Sequence, residues 1–485
     1  MTAILGGGIA GLSAAYYALN NPKIGPVILF EASNRLGGWI RTRKSKSGAS
    51  FEEGPRTIRL AGIGGKNTLD LIDRLDLTDQ IFSIKRNHPA IKNKMFFVDN
   101  KLCRAATVLQ DLLIGKKFFD MPIIQMIRND LKAERNVRGD ESIYNFIERK
   151  MSKDVADKVI SPVLCGICAG DARQISVNFL LRTIFELEQQ HGSIIKGIVK
   201  KKLKEIFTRS NEENESNTNT VTQSERLNKR ERTADIAKAE KWAIVAFKEG
   251  LEEFPKKLAS NVRLRGGDIL IDHKCEKVTF KPNRVELVVN GETKEYSRVI
   301  SSLPAKKLAS LLHRQHPQLA RELEAIPTVT VAVVNLQFSG HPLSLQAFGL
   351  LVPPKEKLPI LGIIFDSCLS SDGSSTVMTV MMGGAWFEEY FGKSPSKDHL
   401  LSVAVEHLKS ILQIPDDPVE FNVAILQDCI PQHIVGHVQR LKRITNYISA
   451  HGIPLALCGS SYQGVGINDV ILSAKQAVSD SVCFS

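Results

Sequence analysis

No uncharged apolar run in this 485-residue chain reaches the roughly 18 residues that a membrane-spanning helix needs, which excludes a helical spanning protein. Cysteine is sparse: Cys103, Cys165, Cys168, Cys275, Cys368, Cys429, Cys458 and Cys483 are scattered, and only Cys165 and Cys168 form a C-x-x-C. That pair lacks a second pair or a nearby His for zinc, and no thioredoxin-like pattern surrounds it, so all eight are expected to be reduced thiols. Aromatic-and-basic RNA motifs, zinc-finger spacing and long recognition helices are missing, so the net charge of +12 does not point to nucleic acid. Acidic small molecules or anionic lipid suit it better. Neither a signal peptide nor an amphipathic presequence is expected at the start, where a glycine-rich motif stands in place of a leader. No Ser-His-Asp, Cys-His or paired-carboxylate constellation stands out, and none of the eleven His residues is assigned a catalytic role. A content of 43% hydrophobic and 24% charged residues describes a globular protein with two or three domains.

The motif that is present begins at residue 4. Gly6, Gly8 and Gly11 form G-x-G-x-x-G after a short apolar run and before a helix-like stretch, Leu12 to Leu19. Gly6 permits the tight strand-to-helix turn, Gly8 lets a pyrophosphate approach the backbone, and Gly11 lets helix and strand pack closely. The phosphates would sit on free N–H groups at the helix N-terminus. A second strand, Val27 to Phe30, ends in Glu31, suited to gripping ribose hydroxyls. Next come Gly37-Gly38 between Arg35 and Arg41, then Phe51-Glu-Glu-Gly54-Pro55-Arg56-Thr57. A nicotinamide enzyme has no reason to hold that second glycine turn. A two-dinucleotide-domain flavoprotein does, and FAD is the expected cofactor.

Beyond residue 107 the texture changes. Helical apolar stretches run over 108–114, 121–127, 142–150, 153–163 and 179–207, spaced by Lys116, Lys117, Phe118 and Phe119. Residues 208–239 hold almost nothing apolar and predict a flexible loop, with a helical extension as the alternative for 225–240. Strands at 269–271, 277–280, 285–289 and 294–296 predict a meander, 299–304 a buried strand, and 328–338, 361–365 and 376–382 a further sheet. The last block is strand, glycine-rich turn (Gly459 to Gly466) and a helix from about Asp469. Its N-terminus would be available to the flavin ring. The dinucleotide domain is therefore expected to be discontinuous, closed by both ends of the chain.

Gly6-Gly-Gly-Ile-Ala-Gly11, Arg35-Leu-Gly-Gly-Trp-Ile-Arg41, Gly54-Pro-Arg56, Phe348-Gly-Leu-Leu-Val352 and Gly459 to Asp469 together resemble the protoporphyrinogen oxidases, the animal mitochondrial type above all. Val329 to Gln337, and Cys429-Ile-Pro-Gln432 with Gly436-His437, narrow the resemblance to that family within the flavin amine oxidase-like superfamily. It implies an α/β class with α+β elements: a two-dinucleotide-domain FAD fold, a substrate-domain sheet and an inserted all-α membrane-binding domain. The implied boundaries are 1–90, 240–310 and 439–485 for the FAD part, 91–106 and 311–438 for the substrate part, 107–207 for the membrane-binding part, and 208–239 for the loop.

The implied reaction is the six-electron oxidation of protoporphyrinogen IX to protoporphyrin IX, the penultimate step of haem synthesis, with O2 reoxidising one non-covalent FAD per chain and hydrogen peroxide leaving. Carried over, FAD contacts fall on Gly6, Gly7, Gly8, Ile9, Ala10, Gly11, Glu31, Ala32, Trp39, Gly54, Pro55, Arg56, Thr57, Cys275 (through its backbone), Ser460, Val465, Gly466 and Ile467. Substrate-pocket positions fall on Lys94, Gly166, Phe348, Gly349, Leu351, Ile364 and Met381, with no metal site. Lys94 stands where the family usually has Arg, keeping the charge but losing the bidentate fork. Glu249-Gly250 replaces an expected Gly-Gly pair, so the local backbone there is expected to differ. Implied partners are inner-membrane lipid on the intermembrane-space side of the mitochondrion, ferrochelatase and a second copy of the chain. Apolar faces bordered by Lys196, Lys200, Lys201, Lys202 and Lys204 suit a headgroup layer. A flavin amine oxidase, a carotenoid desaturase relative and a non-enzymatic small-GTPase-escort protein on the same fold are the alternatives.

Overall fold

The computed structural model describes residues 1–114, 119, 121–132, 137–203, 233–282, 284–343, 345–369 and 375–482, without the side chains of 108, 109, 112 and 114. Five short parallel strands form its first sheet, in the order Asp268–Leu270, Val27–Phe30, Thr2–Leu5, Arg298–Ser301, Leu455–Leu457. They are nearly continuous in apolar residues because both faces are covered. Ile4, Leu29 and Ile300 point to one side, where helices Ile9–Leu19, Glu253–Leu264 and Ile467–Ser481 pack. Ala3, Leu5 and Val299 point to the other, towards helices Ala305–Leu312, Pro317–Glu324 and His437–Ala450. The carboxyl ends of the strands share one edge, where open parallel sheets bind ligands.

Two expectations change here. The strand near 269–271 is not part of the meander. It pairs parallel with Val27–Phe30, and the meander consists of Cys275–Lys281, Arg284–Val289 and Glu292–Tyr296. Residues 311–326, assigned to the substrate part, pack instead on the parallel sheet. The reason is amphipathic: Leu319, Ala320 and Leu323 bury one face of their helix in the cluster that holds Ile444 and Ile448.

A seven-stranded sheet follows, in the order Glu420–Pro431, Thr328–Ser339, Ser375–Gly384, Ile360–Ile364, Gly349–Leu351, Lys94–Val98, Lys101–Arg104. Helix Lys397–Leu412 covers one face, over Met95, Phe97, Val334, Leu350, Ile363 and Val380. The alternate residues form the other face. It meets the inserted helical block, whose core gathers Phe146, Phe185, Leu164 and Val177.

Within that block a buried ion network replaces part of the apolar core. Lys150 lies 2.9 Å from Glu188 and 3.5 Å from Asp130, while Arg149 pairs with Glu141 and Glu188. Asp130 also accepts from the backbone N–H groups of Ile194 and Ile195, capping the helix 194–203. The long helix expected over 179–207 is interrupted by Gly192, whose φ of 74° ends helix Arg182–His191. Phe119, expected in an apolar face towards lipid, is 3% exposed and belongs to the block's own core. Lys116, Lys117, Phe118 and Lys204 lie outside the described residues.

The 208–239 loop falls outside the described residues as far as 232. Its end differs from expectation: Thr233–Ala239 is a helix, with Thr233 buried and donating to Asp73 at 2.8 Å.

Candidate functional site

The first turn is built as its glycines require. Gly6 has φ +100°, and a Cβ there would stand 2.6 Å from Ser302 Oγ. A Cβ on Gly11 would stand 1.9 Å from the Gly6 carbonyl oxygen, so strand and helix close only over glycine. Gly8 caps helix Ile9–Leu19 with no side-chain acceptor and no acid in the first turn, leaving N–H groups open to an anion. The second glycine pair lies directly against the first, with Gly37 N–H donating to the Gly7 carbonyl at 2.9 Å and Gly38 facing Gly8.

Glu31 does more than end a strand. Its carboxylate accepts from Gly7 N–H at 2.6 Å and from Ser33 N–H at 2.8 Å, bracing the phosphate turn. The two arginines that flank the second glycine turn bond within the protein. Arg35 donates to the carbonyls of Gly38 and Ile40 at 2.7 Å each and shapes the second turn, and Arg41 pairs with Glu53 at 3.4 Å. Ala32 is exposed beside Glu31, and Trp39 is 41% exposed. Cys275 reaches this end because Asp272 and His273 donate their N–H groups to Ser33 and Glu31 carbonyls. Burial pushes its thiol up to about 11.

The other two loops converge on the same edge. A Cβ on Gly54 would stand 2.1 Å from the Trp39 carbonyl oxygen, so Gly54 to Thr57 lies on the second glycine turn. Gly459, with φ +109°, lies against Ala10, which seats the C-terminal turn on helix Ile9–Leu19. Helix Ile467–Ser481 follows Ser460 and Val465; Gly466 at its N-terminus provides no side-chain cap, but the Asp469 carboxylate of the first turn lies against Gly464 and Gly466. At Glu249-Gly250 the turn survives with one glycine: Gly250 takes φ +100°, and Glu249 reaches Lys44 at 2.9 Å.

Strand register brings the proposed substrate positions together. Lys94, Gly349, Ile364 and Thr379 lie in one row across four strands. Phe96, Leu351, Gly362 and Met381 form the next row on the same face. Gly349 must be glycine: its φ is +154°, and a Cβ would stand 2.3 Å from the Ile363 carbonyl oxygen. Phe348, just before it, is half-buried and accepts from Phe365 N–H at 3.0 Å. Gly166, in helix Ser161–Cys168, brings the helical block against this face, since a Cβ there would stand 2.7 Å from a Leu351 methyl. Lys94 is exposed, and no carboxylate among the described residues pairs with it.

Arg56 joins the two halves. It is 8% exposed, donates to Asp366 at 2.7 Å and lies 3.9 Å from Met381 Sδ. Thr379 donates to the other Asp366 oxygen at 2.7 Å, and Asn335 donates to Thr379 and to the Glu52 carbonyl. Asp366, Thr379 and Asn335 were not legible as site residues, because nothing local marks a partner 310 positions from Arg56. Burial lifts the neighbouring Glu52 carboxyl to about 7, although Leu251 N–H, Thr42 and Arg56 favour its charged form.

Comparison with known proteins agrees with this geometry. The model of the flavin containing amine oxidoreductases matches residues 9–480. Protoporphyrinogen oxidase of Homo sapiens is 34% identical over 481 residues, 98% of this chain and 96% of its own length. Coproporphyrinogen III oxidase of Bacillus subtilis is 25% identical, over 99% and 97%. A crystal structure from Exiguobacterium sp. 255-15 superposes with a TM-score of 0.76 at 20% identity, covering 100% of this chain and 99% of that one. The chain belongs to the flavin containing amine oxidoreductases and, among them, to the protoporphyrinogen oxidase family.

Proposed function

We propose that this enzyme oxidises protoporphyrinogen IX to protoporphyrin IX with O2 as acceptor, in haem biosynthesis, releasing hydrogen peroxide. The cofactor is FAD, and the residues fit it: a helix N-terminus with neither a side-chain cap nor an acid in its first turn, and a glycine turn where a Cβ would collide. Bound FAD supplies hydride acceptance and reoxidation by O2. The chain supplies placement. The sheet face carrying Leu351, Ile364 and Met381, with Phe348 beside it, forms an apolar wall for a flat macrocycle and excludes water from it. Lys94 offers a cation at the exposed end of that wall for a propionate, as a point charge rather than a fork. No acid–base side chain is required, since a pyrrole proton can pass to solvent.

The single observation that carries this reading is the Arg56–Asp366–Met381 contact, where the glycine-rich loop meets the sheet face. Tyr462 speaks against an amine oxidase: its ring is buried in the core with Ile444, Ile448 and Ile453, so it cannot line an aromatic cage. The intact glycine turn speaks against an escort protein. The test is anaerobic mixing with protoporphyrinogen IX, following flavin bleaching and porphyrin fluorescence, with coproporphyrinogen III in parallel. Bleaching that is faster with protoporphyrinogen supports the assignment. Preference for the more acidic porphyrinogen would overturn it.

The proposal extends to location: attachment without spanning, at the mitochondrial inner membrane on its intermembrane-space side. Among the described residues no helix is long and apolar enough to cross a bilayer. The helical block nevertheless exposes Leu113, Ile124 (66%), Val137, Val199 and Leu203, the last two beside Lys200, Lys201 and Lys202. We assign residues 107–203 this role, with the FAD and substrate parts divided as the two sheets divide them.

A further inference from the structure

Two histidines behind the C-terminal turn are stacked. The rings of His433 and His437 lie 4.0 Å apart at 11°, and each residue is 4% exposed. His433 Nε2 stands 3.1 Å from the Ser460 carbonyl oxygen, and His437 Nε2 stands 2.9 Å from that of Tyr462. A carbonyl only accepts, so in both rings Nε2 carries the proton and Nδ1 is bare. His437 Nδ1 has no partner among the described residues. Burial and the adjoining ring hold His433 down at about 3, and burial lowers His437 as well, which keeps the pair neutral. Phe179 closes on His433 edge-on at 5.1 Å. Asp140, the acid whose charge reaches His437, is occupied by Gly436 N–H, Ser176 Oγ and Asn178 Nδ2.

A trans peptide is planar, so a fixed carbonyl turns the next N–H to the opposite side. The Ser460 carbonyl held by His433 turns Ser461 N–H away from the histidines. The Tyr462 carbonyl held by His437 does the same for Gln463 N–H. Neither N–H has a protein acceptor among the described residues. Both lie in the turn that runs into helix Ile467–Ser481.

We propose that His433 and His437 are positioning residues for the flavin, a stacked pair that sets two peptide planes of the 459–466 turn so that their N–H groups serve the cofactor. This rests on the FAD part of the reading above and not on the identity of the porphyrinogen. Stacking supplies the rigidity, because neither ring can tilt without displacing the other. The pair acts through the backbone and touches no reacting atom.

The test compares His437→Phe, which keeps the ring and removes the donor, with His437→Gln, whose amide restores a donor near the Nε2 position. Apoprotein of each is titrated with FAD, and the flavin midpoint potential of each holoenzyme is measured, neither step needing substrate. Loss of one hydrogen bond should weaken FAD binding in the Phe variant by about tenfold. Its flavin potential should shift, and the Gln variant should recover most of both. Wild-type affinity and potential in a folded Phe variant would overturn the proposal. Should the Phe variant fail to fold, 15N-histidine spectra of the unsubstituted holoenzyme and apoprotein decide. The Nε2–H tautomers must be present, and their shifts must change when FAD is removed; unchanged shifts would equally overturn it.

Discussion

Arg56 shows how much one side chain can join. Its guanidinium is buried between the Gly54–Thr57 loop and the seven-stranded sheet, on Asp366 and Met381. Arg56→Trp removes the charge and leaves Asp366 without its cation, a loss on the order of 3 kcal/mol for a buried pair. The added bulk would also press on Met381. We expect that variant to lose flavin or turnover, and wild-type flavin content with wild-type turnover would show Arg56 to be peripheral. Lys94 makes a smaller claim. If it holds a propionate, Lys94→Ala raises KM by the equivalent of about 1–3 kcal/mol, while Lys94→Arg is neutral or better. Steady-state kinetics on both variants would expose an anchor elsewhere if neither changes. Glu52 adds a pH dependence. Its folded pKa, about 7, lies above the unfolded value of 4.5, so the native state binds the proton more tightly. Stability from this group is therefore full below about pH 4.5 and falls as pH rises towards 7. Glu52→Gln should narrow that decline, with a gain over wild type of roughly 1–3 kcal/mol at pH 8 and much less at pH 5. Thermal melts at the two pH values check this, and an equal gain at both would argue against a raised pKa.

Among elements, the helix Thr233–Ala239 marks where expendable sequence stops. Residues 210–232 have no hydrophobic periodicity, and loop-closure entropy changes little with length. Replacing them with a short Gly-Ser linker should leave folding and flavin content intact, as judged by soluble yield and the ratio of flavin to protein absorbance. Loss of soluble protein would mean that the segment packs. The replacement must end before Thr233, whose hydroxyl bonds to Asp73 and also lies 2.9 Å from Thr78 Oγ1. This element was legible only as an alternative, because a seven-residue helix carries too few apolar positions to separate it from a polar loop. The helices of the inserted block were legible as helices. The ion network of Lys150, Glu188 and Asp130 that joins them was not, since charged residues in an amphipathic pattern are normally assigned to the solvent face.

For the whole molecule, the helical block provides the attachment prediction. High salt should release only part of the protein from mitochondrial membranes and detergent all of it. Complete release by salt or carbonate alone would mean that no apolar surface enters the bilayer. The sequence by itself determined the glycine turns, the strand–helix order at both ends and hence the flavoprotein fold, because each depends on a few adjacent residues with backbone requirements that side chains cannot imitate. Gly6, Gly11 and Gly349 are such cases: a Cβ at each would meet fixed atoms. Alternation along the strands likewise made the proposed substrate face partly legible, once the resemblance had selected Lys94, and Leu351, Ile364 and Met381 from many equally apolar positions. Only the tertiary structure decided that Arg35 binds the Gly38 and Ile40 carbonyls, that residues 311–326 pack on the five-stranded parallel sheet, that Arg56 finds Asp366, and that His433 stacks on His437 behind the 459–466 turn. Each of these depends on which surfaces meet when distant segments pack. A pairing across hundreds of residues leaves no periodicity, spacing or composition behind it in the chain.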